Sequence, residues 1–144
     1  MLDKPIIPTI VEPRIVPKFA SHASVGEAVS FMAEKNIGCV AIVDDGRLVG
    51  LFTERDVLRR VASKKLDLDA TPIGNVMTPD PDTLSGEDRA GDALTLMTSK
   101  RYRHLPIVTD GEIQAILSIR DLQMASIEAL SDALDGFAAL ELAD

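Results

Sequence analysis

Apolar positions along the chain switch between two periods, and the same switch is written twice. In "SVGEAVSFMAEKN" (24–36), Val25, Ala28, Val29, Met32 and Ala33 fall on one helical stripe, and Ser24 with Glu27 has the spacing of a capping box. In "AGDALTLMTSKR" (90–101), Ala90, Ala93, Leu94 and Met97 repeat the stripe. Each predicted helix leads into a short apolar run, "CVAIV" or "HLPIV", then an Asp-Gly turn, then a second run, "LVGLF" or "IQAIL". Asp-Gly suits the tight turn of a hairpin, because its residues tolerate positive φ. A further helix is predicted to start at Thr53 and at Ser118. Upstream, "RIVPKF" and "PDTLS" each predict a short strand or extended arm. The unit is β-α-β-β-α.

Residues 24–58 laid over 89–123 match without a gap, with ten of 35 positions identical, among them Gly26/Gly91, Met32/Met97, Asp45/Asp110, Gly46/Gly111, Arg55/Arg120 and Asp56/Asp121. Upstream, "VEP" (11–13) meets "VMTP" (76–79). One unit of roughly 60 residues cannot bury both its helices and a sheet face alone. The expected fold is therefore α+β: two β-α-β-β-α repeats related by a pseudo-twofold axis, at 7–66 and 72–127, with two related clefts between them. "KKLDLDATP" (64–72) reads as the linker. The tail, 128–144, is predicted as an amphipathic helix, with Ile127, Leu130, Leu134 and Phe137 spaced by three and four. It either covers the repeat core or makes a dimer or partner contact.

Composition narrows the function classes. Apolar residues are 46% and aromatics 3%, so the core is aliphatic. A formal charge of −8 argues against a broad nucleic-acid footprint. Cys39 is the only cysteine, so no intrachain disulfide forms, which suits a reducing compartment. The first residues make a poor signal peptide, and no run approaches the ~18 apolar residues of a membrane span. The chain reads as soluble and cytoplasmic. His22, His104 and Cys39 offer no zinc spacing, and no Gly-x-Ser-x-Gly elbow or Walker phosphate loop is present. Cys39, inside an apolar strand, reads as core rather than nucleophile. A metal, a cofactor and catalysis are not expected.

Two clusters carry chemistry. Thr53-x-x-Asp56 and Ser118-x-x-Asp121 fit helix caps, in which the hydroxyl accepts a free N–H and the acid favours the positive dipole end. The same geometry offers N–H donors to an anion and a carboxylate to vicinal hydroxyls such as those of ribose. Duplication copies caps and sites alike, so both readings stand. "KRYRHLPIV" (100–108) crowds Lys100, Arg101, Arg103 and His104 between a helix end and a buried strand. Such cations favour a helix C-terminus and would also meet a phosphate. The first copy, "KNIGCVAIV", keeps only Lys35, so the two clefts should differ in anion affinity.

These residues resemble the CBS (cystathionine β-synthase type) domain, which usually occurs in tandem pairs. "GLFTERD" (50–56) is similar to its Gly-h-h-[ST]-x-x-Asp signature (h apolar), "RHLPIV" to its Arg-His-Leu-Pro strand, and "VMTP" to the segment that often opens a repeat. The resemblance covers 7–127 and implies a stand-alone, non-enzymatic regulatory pair. It would bind AMP, ADP or ATP, with S-adenosylmethionine or NADH as alternatives, form a homodimer and signal to an unidentified protein effector. Carried over, Asp56 and Asp121 would hold ribose, with Thr53 and Ser118 beside ribose or phosphate. Arg103 and His104 would meet phosphate, and Arg120 belongs to the second motif. Ile37–Gly38–Cys39 and Tyr102–His104, with arms near Phe19 and Leu84, would enclose adenine. The favoured site joins Ser118 and Asp121 with Arg103 and His104. Ala115 stands where the signature has Gly, and Ala41 where the second repeat has Pro106. A ligand-free dimerisation scaffold is the alternative.

Overall fold

In the computed structural model, described over residues 1–143, both predicted stripes form helices: α2 (Val25–Lys35) and α4 (Ala90–Lys100). Ser24 Oγ accepts the Glu27 N–H at the start of α2, and the Asp92 carboxylate accepts the Arg89 N–H at the start of α4. Both helices stop on a left-handed residue, Asn36 (φ 54°) and Arg101 (φ 58°). The next N–H groups, of Ile37 and Tyr102, return to the carbonyls of Met32 and Met97 at 3.0 and 2.9 Å. This closure turns the chain into the following strand. The buried stripe is narrower than expected. Val25, Ala28 and Met32 are buried in α2, and Ala90, Ala93 and Met97 in α4, whereas Ala33 and Leu94 are exposed. A short helix on a small sheet covers one line of residues, and the flanks at i+4 stay wet.

Strands β2 (Cys39–Asp44) and β3 (Arg47–Thr53) form an antiparallel hairpin, as do β5 (His104–Thr109) and β6 (Glu112–Ser118). The Asp-Gly turns hold positive φ at both central residues, 50° and 74° in the first, 53° and 80° in the second. The register slips at Ile42/Val43 and at Ile107/Val108, so the irregularity is duplicated too. β1 (Lys18–Phe19) lies parallel to β2, and β4 (Thr78–Pro79) antiparallel to β3, completing the order β1-β2-β3-β4. In the second repeat a single parallel bridge, Leu84 to Ile107, stands in the place of β1.

Packing crosses the repeat boundaries. The core under α2 includes Ile73 and Val76, from the segment between the repeats. The core under α4 includes Ile6 and Val11, from the N-terminal arm with its short turn α1 (Ile6–Thr9). The spans 7–66 and 72–127 thus follow the sequence while the cores exchange segments. Matched hydrogen bonds carry the pseudo-twofold relation. Ile73 N–H donates to Ala23 O at 2.9 Å and Ile6 N–H to Asp88 O at 2.8 Å. Gly26 N–H donates to Leu68 O at 2.8 Å and Gly91 N–H to Leu2 O at 2.9 Å. Glycine favours this closeness: a Cβ would lie 2.8 Å from the Asp69 Oδ1 side-chain tip and 3.3 Å from Leu68 O at position 26, and 3.1 Å from Leu2 O at position 91, so the neighbours would have to give way.

After β3 the chain forms α3 (Glu54–Asp56), which widens into a π-helical segment, Val57–Ala62. After β6 it forms α5, Ile119–Ala143, one unbroken helix. The tail is therefore not a separate element beginning at 128, and residue 144 of that span lies outside the described residues. The tail does not cover the repeat core either. Only Leu122 and Ala125 of α5 are buried, while Ile127, Leu130, Leu134 and Phe137 are 60 to 67% exposed. Beyond Ala125 the helix has left the surface it started on.

Candidate functional site

Because β3 runs into α3 and β6 into α5 with no loop, each strand end is a helix cap. Thr53 N–H and Oγ1 donate to Asp56 Oδ2 at 3.0 and 3.1 Å, and Asp56 N–H donates to Thr53 Oγ1 at 3.2 Å. Ser118 N–H and Oγ donate to Asp121 Oδ2 at 2.7 and 2.9 Å, and Asp121 N–H donates to Ser118 Oγ at 3.2 Å. The capping geometry is thus realised twice. Glu54 N–H donates to Gly38 O, and Ile119 N–H to Arg103 O, each at 3.0 Å. These bonds pin Ile37–Cys39 and Tyr102–His104 beside the helix start of their own repeat.

Two clefts open where the repeats meet. The first, about 770 Å³, lies between Thr53–Asp56, the arm Thr78–Asp82, and Lys100–His104 of the other repeat. The second, about 930 Å³, lies between Ser118–Arg120, the arm Arg14–Pro17, and Asn36–Cys39 of the other repeat. Arg103, His104 and Glu54 border both. The favoured grouping is therefore brought together in part. Ser118, Arg120, Arg103 and His104 share the second cleft with Ile37, Gly38 and Cys39, whereas Tyr102, Lys100 and Arg101 face the first. Asp121 stands behind the second cleft's lining, screened by Arg14. Lys35 lines neither cleft.

The arms reach the clefts a few residues earlier than expected. Pro17 and Pro81 line them, rather than Phe19 and Leu84. Phe19 packs edge-on against Phe31 with centroids 5.6 Å apart, and Leu84 packs against the second core. Both arms turn inward after the prolines because the parallel pairing with β2 or β5 begins there.

The two acids differ. Asp56 is only 5% exposed and both its oxygens are engaged: Thr78 Oγ1 donates to Oδ1 at 3.2 Å, and Arg60 Nε lies 3.4 Å from Oδ1. Asp121 keeps 22% of its side chain exposed. Its Oδ2 also accepts Arg14 Nη2 at 3.0 Å, and among the described residues its Oδ1 accepts no hydrogen bond. Arg14 Nη2 is held as well by Ile116 O at 2.8 Å. Arg14, Arg60 and Thr78 went unseen in the sequence. Arg14, the one cation of "VEPRIVP", could have been found by laying that arm along β6.

Burial holds the His104 imidazole below its usual pKa of 6.5, with Arg103 and Arg55 adding to the effect and Glu54 and Asp121 opposing it. It is neutral at pH 7. Burial, with the Asp56 charge nearby, pushes the Cys39 thiol far up, so it is not a thiolate nucleophile at neutral pH. Tyr102 donates its hydroxyl to Asp82 at 2.6 Å, which raises its own pKa. Among the described residues no group of three or more His, Cys, Asp or Glu could hold a metal.

Comparison with known proteins matches the CBS domain family over residues 13–63 and 73–128. An uncharacterized 17.7 kDa protein of Acidianus ambivalens is 33% identical over 109 residues, spanning 74% of this chain and 65% of that protein. The CBS domain-containing protein CBSX3, mitochondrial, of Arabidopsis thaliana is 32% identical over 72% of this chain and 53% of its own length. The chain thus spans less than two thirds of the length of these curated relatives. A crystal structure of a conserved protein from Pyrococcus horikoshii shares 31% identity at a TM-score of 0.78, covering 88% of this chain and 94% of that one. A CBS domain protein from Pyrobaculum aerophilum, solved in complex with AMP, shares 27% identity at a TM-score of 0.70, over 82% and 94%.

Proposed function

This chain belongs to the CBS domain family as a tandem pair, and from that premise we propose that its second cleft binds an adenine nucleotide (AMP, ADP or ATP) and reports it to a protein effector. The observation that carries this reading is the contrast between the acids. Asp56 has both oxygens occupied, whereas among the described residues Asp121 Oδ1 accepts no hydrogen bond, and its Oδ2 is shared with Arg14, a half-exposed side chain that lines the second cleft.

In this reading the ribose hydroxyls donate to Asp121. Adenine lies between Ile37–Cys39 and Val16–Pro17, two largely apolar walls facing each other across the cleft. Arg103 and Arg120 meet the phosphate, with Ser118 Oγ as a neutral donor. His104, neutral at rest, gains a proton as phosphate charge arrives beside it. Arg14, displaced from Asp121, turns toward the same phosphate. The cleft's charges are Arg14, Arg103 and Arg120 against Glu54 alone, which suits an anion. The first cleft sets Arg55, Arg59, Arg60, Lys100, Arg101 and Arg103 against Glu54, Asp56, Asp80 and Asp82, the same net balance, but there four carboxylates compete with a ligand for the cations.

No chemical step is needed. A ligand spanning both repeats favours the arrangement it fits, by no more than its difference in affinity between arrangements. We place the module in the cytoplasm, where its one buried thiol stays reduced; among the described residues no helix is long and apolar enough to cross a membrane. The test is calorimetric titration with AMP, ADP, ATP, S-adenosylmethionine and NADH, repeated on Asp121→Ala and Arg103→Ala. Heat for an adenine nucleotide that both substitutions diminish supports the reading. Silence across the panel leaves the scaffold alternative, which the exposed face of α5 favours.

A further inference from the structure

The segment between the repeats joins them, and it also walls a pocket separate from the two clefts. This pocket, about 390 Å³, lies between the end of the π-helical segment, Leu66 and Ala70 of the linker, and Pro72, Asn75 and Val76 beyond it. Two cations reach it, Arg60 from the π-helical segment and Lys64 from the turn that follows. Both clefts have carboxylates in their walls; this pocket has none, in a chain of formal charge −8. The linker's own acids are engaged elsewhere. Asp67 Oδ1 accepts the N–H groups of Asp69 and Ala70 at 2.9 and 3.0 Å, and Asp69 Oδ1 lies beside Gly26.

The donors at this pocket are only partly used by the protein. Arg60 is held at two of its nitrogens, Nε by Asp56 Oδ1 at 3.4 Å and Nη1 by Met77 O at 2.7 Å. Among the described residues its Nη2 has no acceptor, and neither have Lys64 Nζ and Asn75 Nδ2. An arginine already fixed along one edge offers the other with little further loss of freedom. Lysine adds a compact charge with three donors, and asparagine adds neutral ones. Such a set suits an oxyanion with several acceptor oxygens, as phosphate has. The cavity is larger than a phosphate group needs, and Leu66, Pro72 and Val76 give the remaining space an apolar wall. We infer that this pocket binds a small phosphate monoester, its phosphate held by Arg60, Lys64 and Asn75 and its carbon body set against Leu66, Pro72 and Val76. This does not depend on what the two clefts bind.

Amide NMR on the full chain, titrated with phenyl phosphate and separately with inorganic phosphate at fixed ionic strength, tests the pocket. Phenyl phosphate should move the Asn75 side-chain amide and the Thr71 N–H along a saturating curve, and inorganic phosphate should move the same signals with weaker affinity. Lys64 is exposed and pairs with nothing among the described residues, so Lys64→Gln should leave the melting temperature unchanged. It should raise the Kd for phenyl phosphate about tenfold, the loss of one charge-assisted contact. Arg103→Ala, which alters both clefts, should leave that Kd as it was. Unmoved Asn75 and Thr71 signals, a Kd indifferent to Lys64→Gln, or one raised by Arg103→Ala instead overturns the site. Equal affinity for the two probes overturns the monoester assignment, since the carbon body would then contribute nothing.

Discussion

Arg14 and Asp121 are 107 positions apart in the chain and 3.0 Å apart in space. The arm that opens the sequence thus screens the acid that caps the last helix. The pair is only partly buried, with Arg14 47% exposed, so its direct contribution to stability is small. Arg14→Ala should lower the urea-unfolding free energy by no more than ~1 kcal/mol. A loss well above that would mean the arm depends on this contact for its place.

Asp121→Ala acts on the ligand. If its carboxylate holds ribose, the substitution weakens nucleotide binding by ~1.5–3 kcal/mol, the range for hydrogen bonds to a charged group. Calorimetry on the purified protein reads this as roughly a 10- to 150-fold rise in Kd. An unchanged Kd removes Asp121 from the site.

Asp56→Ala acts on the fold. That carboxylate serves Thr53, Thr78 and Arg60 from a buried position, and its loss strands their donors. The expected cost is ~2–4 kcal/mol, against ~1–2 kcal/mol for losing the more open cap at Asp121. Urea denaturation of the two variants side by side decides it; equal losses would contradict the difference in burial.

His104 makes stability depend on pH in one direction. Its folded pKa lies below 6.5, so as pH falls through that value the unfolded chain takes up a proton that the folded protein resists. Stability is therefore lost on the acid side and restored above it. Melting curves at about pH 5.5 and 7.5 should show a smaller difference in His104→Gln than in the unaltered protein. An identical difference would assign the pH response to other groups.

Gly50→Ala probes the edge of the first sheet. A Cβ there collides with Met77 Sδ and comes within 2.9 Å of Thr78 O, because β4 lies directly across. Overpacking of this kind costs ~1–3 kcal/mol, visible as a lower melting temperature. The matching position in the second repeat already holds Ala115, buried on β6, where the N-terminal arm lies alongside with the bond Arg14 N–H to Gln114 O and, among the described residues, forms no strand.

What was legible in the sequence was local. Ser24 and Glu27, the two Asp-Gly turns and the pairs Thr53/Asp56 and Ser118/Asp121 have partners within four residues, so the spacing alone places them. The repeat then supplied the pseudo-twofold fold. Arg14 and Ile6 were not legible, because their partners lie more than eighty positions away and nothing near them marks the crossing. The division of "KRYRH" failed for a related reason. Tyr102 and His104 sit two residues apart on a turning backbone, and whether one cleft or both receive them depends on how the other repeat packs. The continuity of α5 could have been read, since no Gly or Pro interrupts 119–135.

The crossing of Ile6 and Ile73 into opposite cores bears on how the molecule is made. During synthesis the first hairpin emerges long before Ile73, the residue that plugs its floor, while Ile6 waits for a half of the protein not yet translated. Neither half can be completed from its own contiguous stretch, so separate fragments divided near residue 66 should remain unstructured until mixed, each bringing the piece the other lacks.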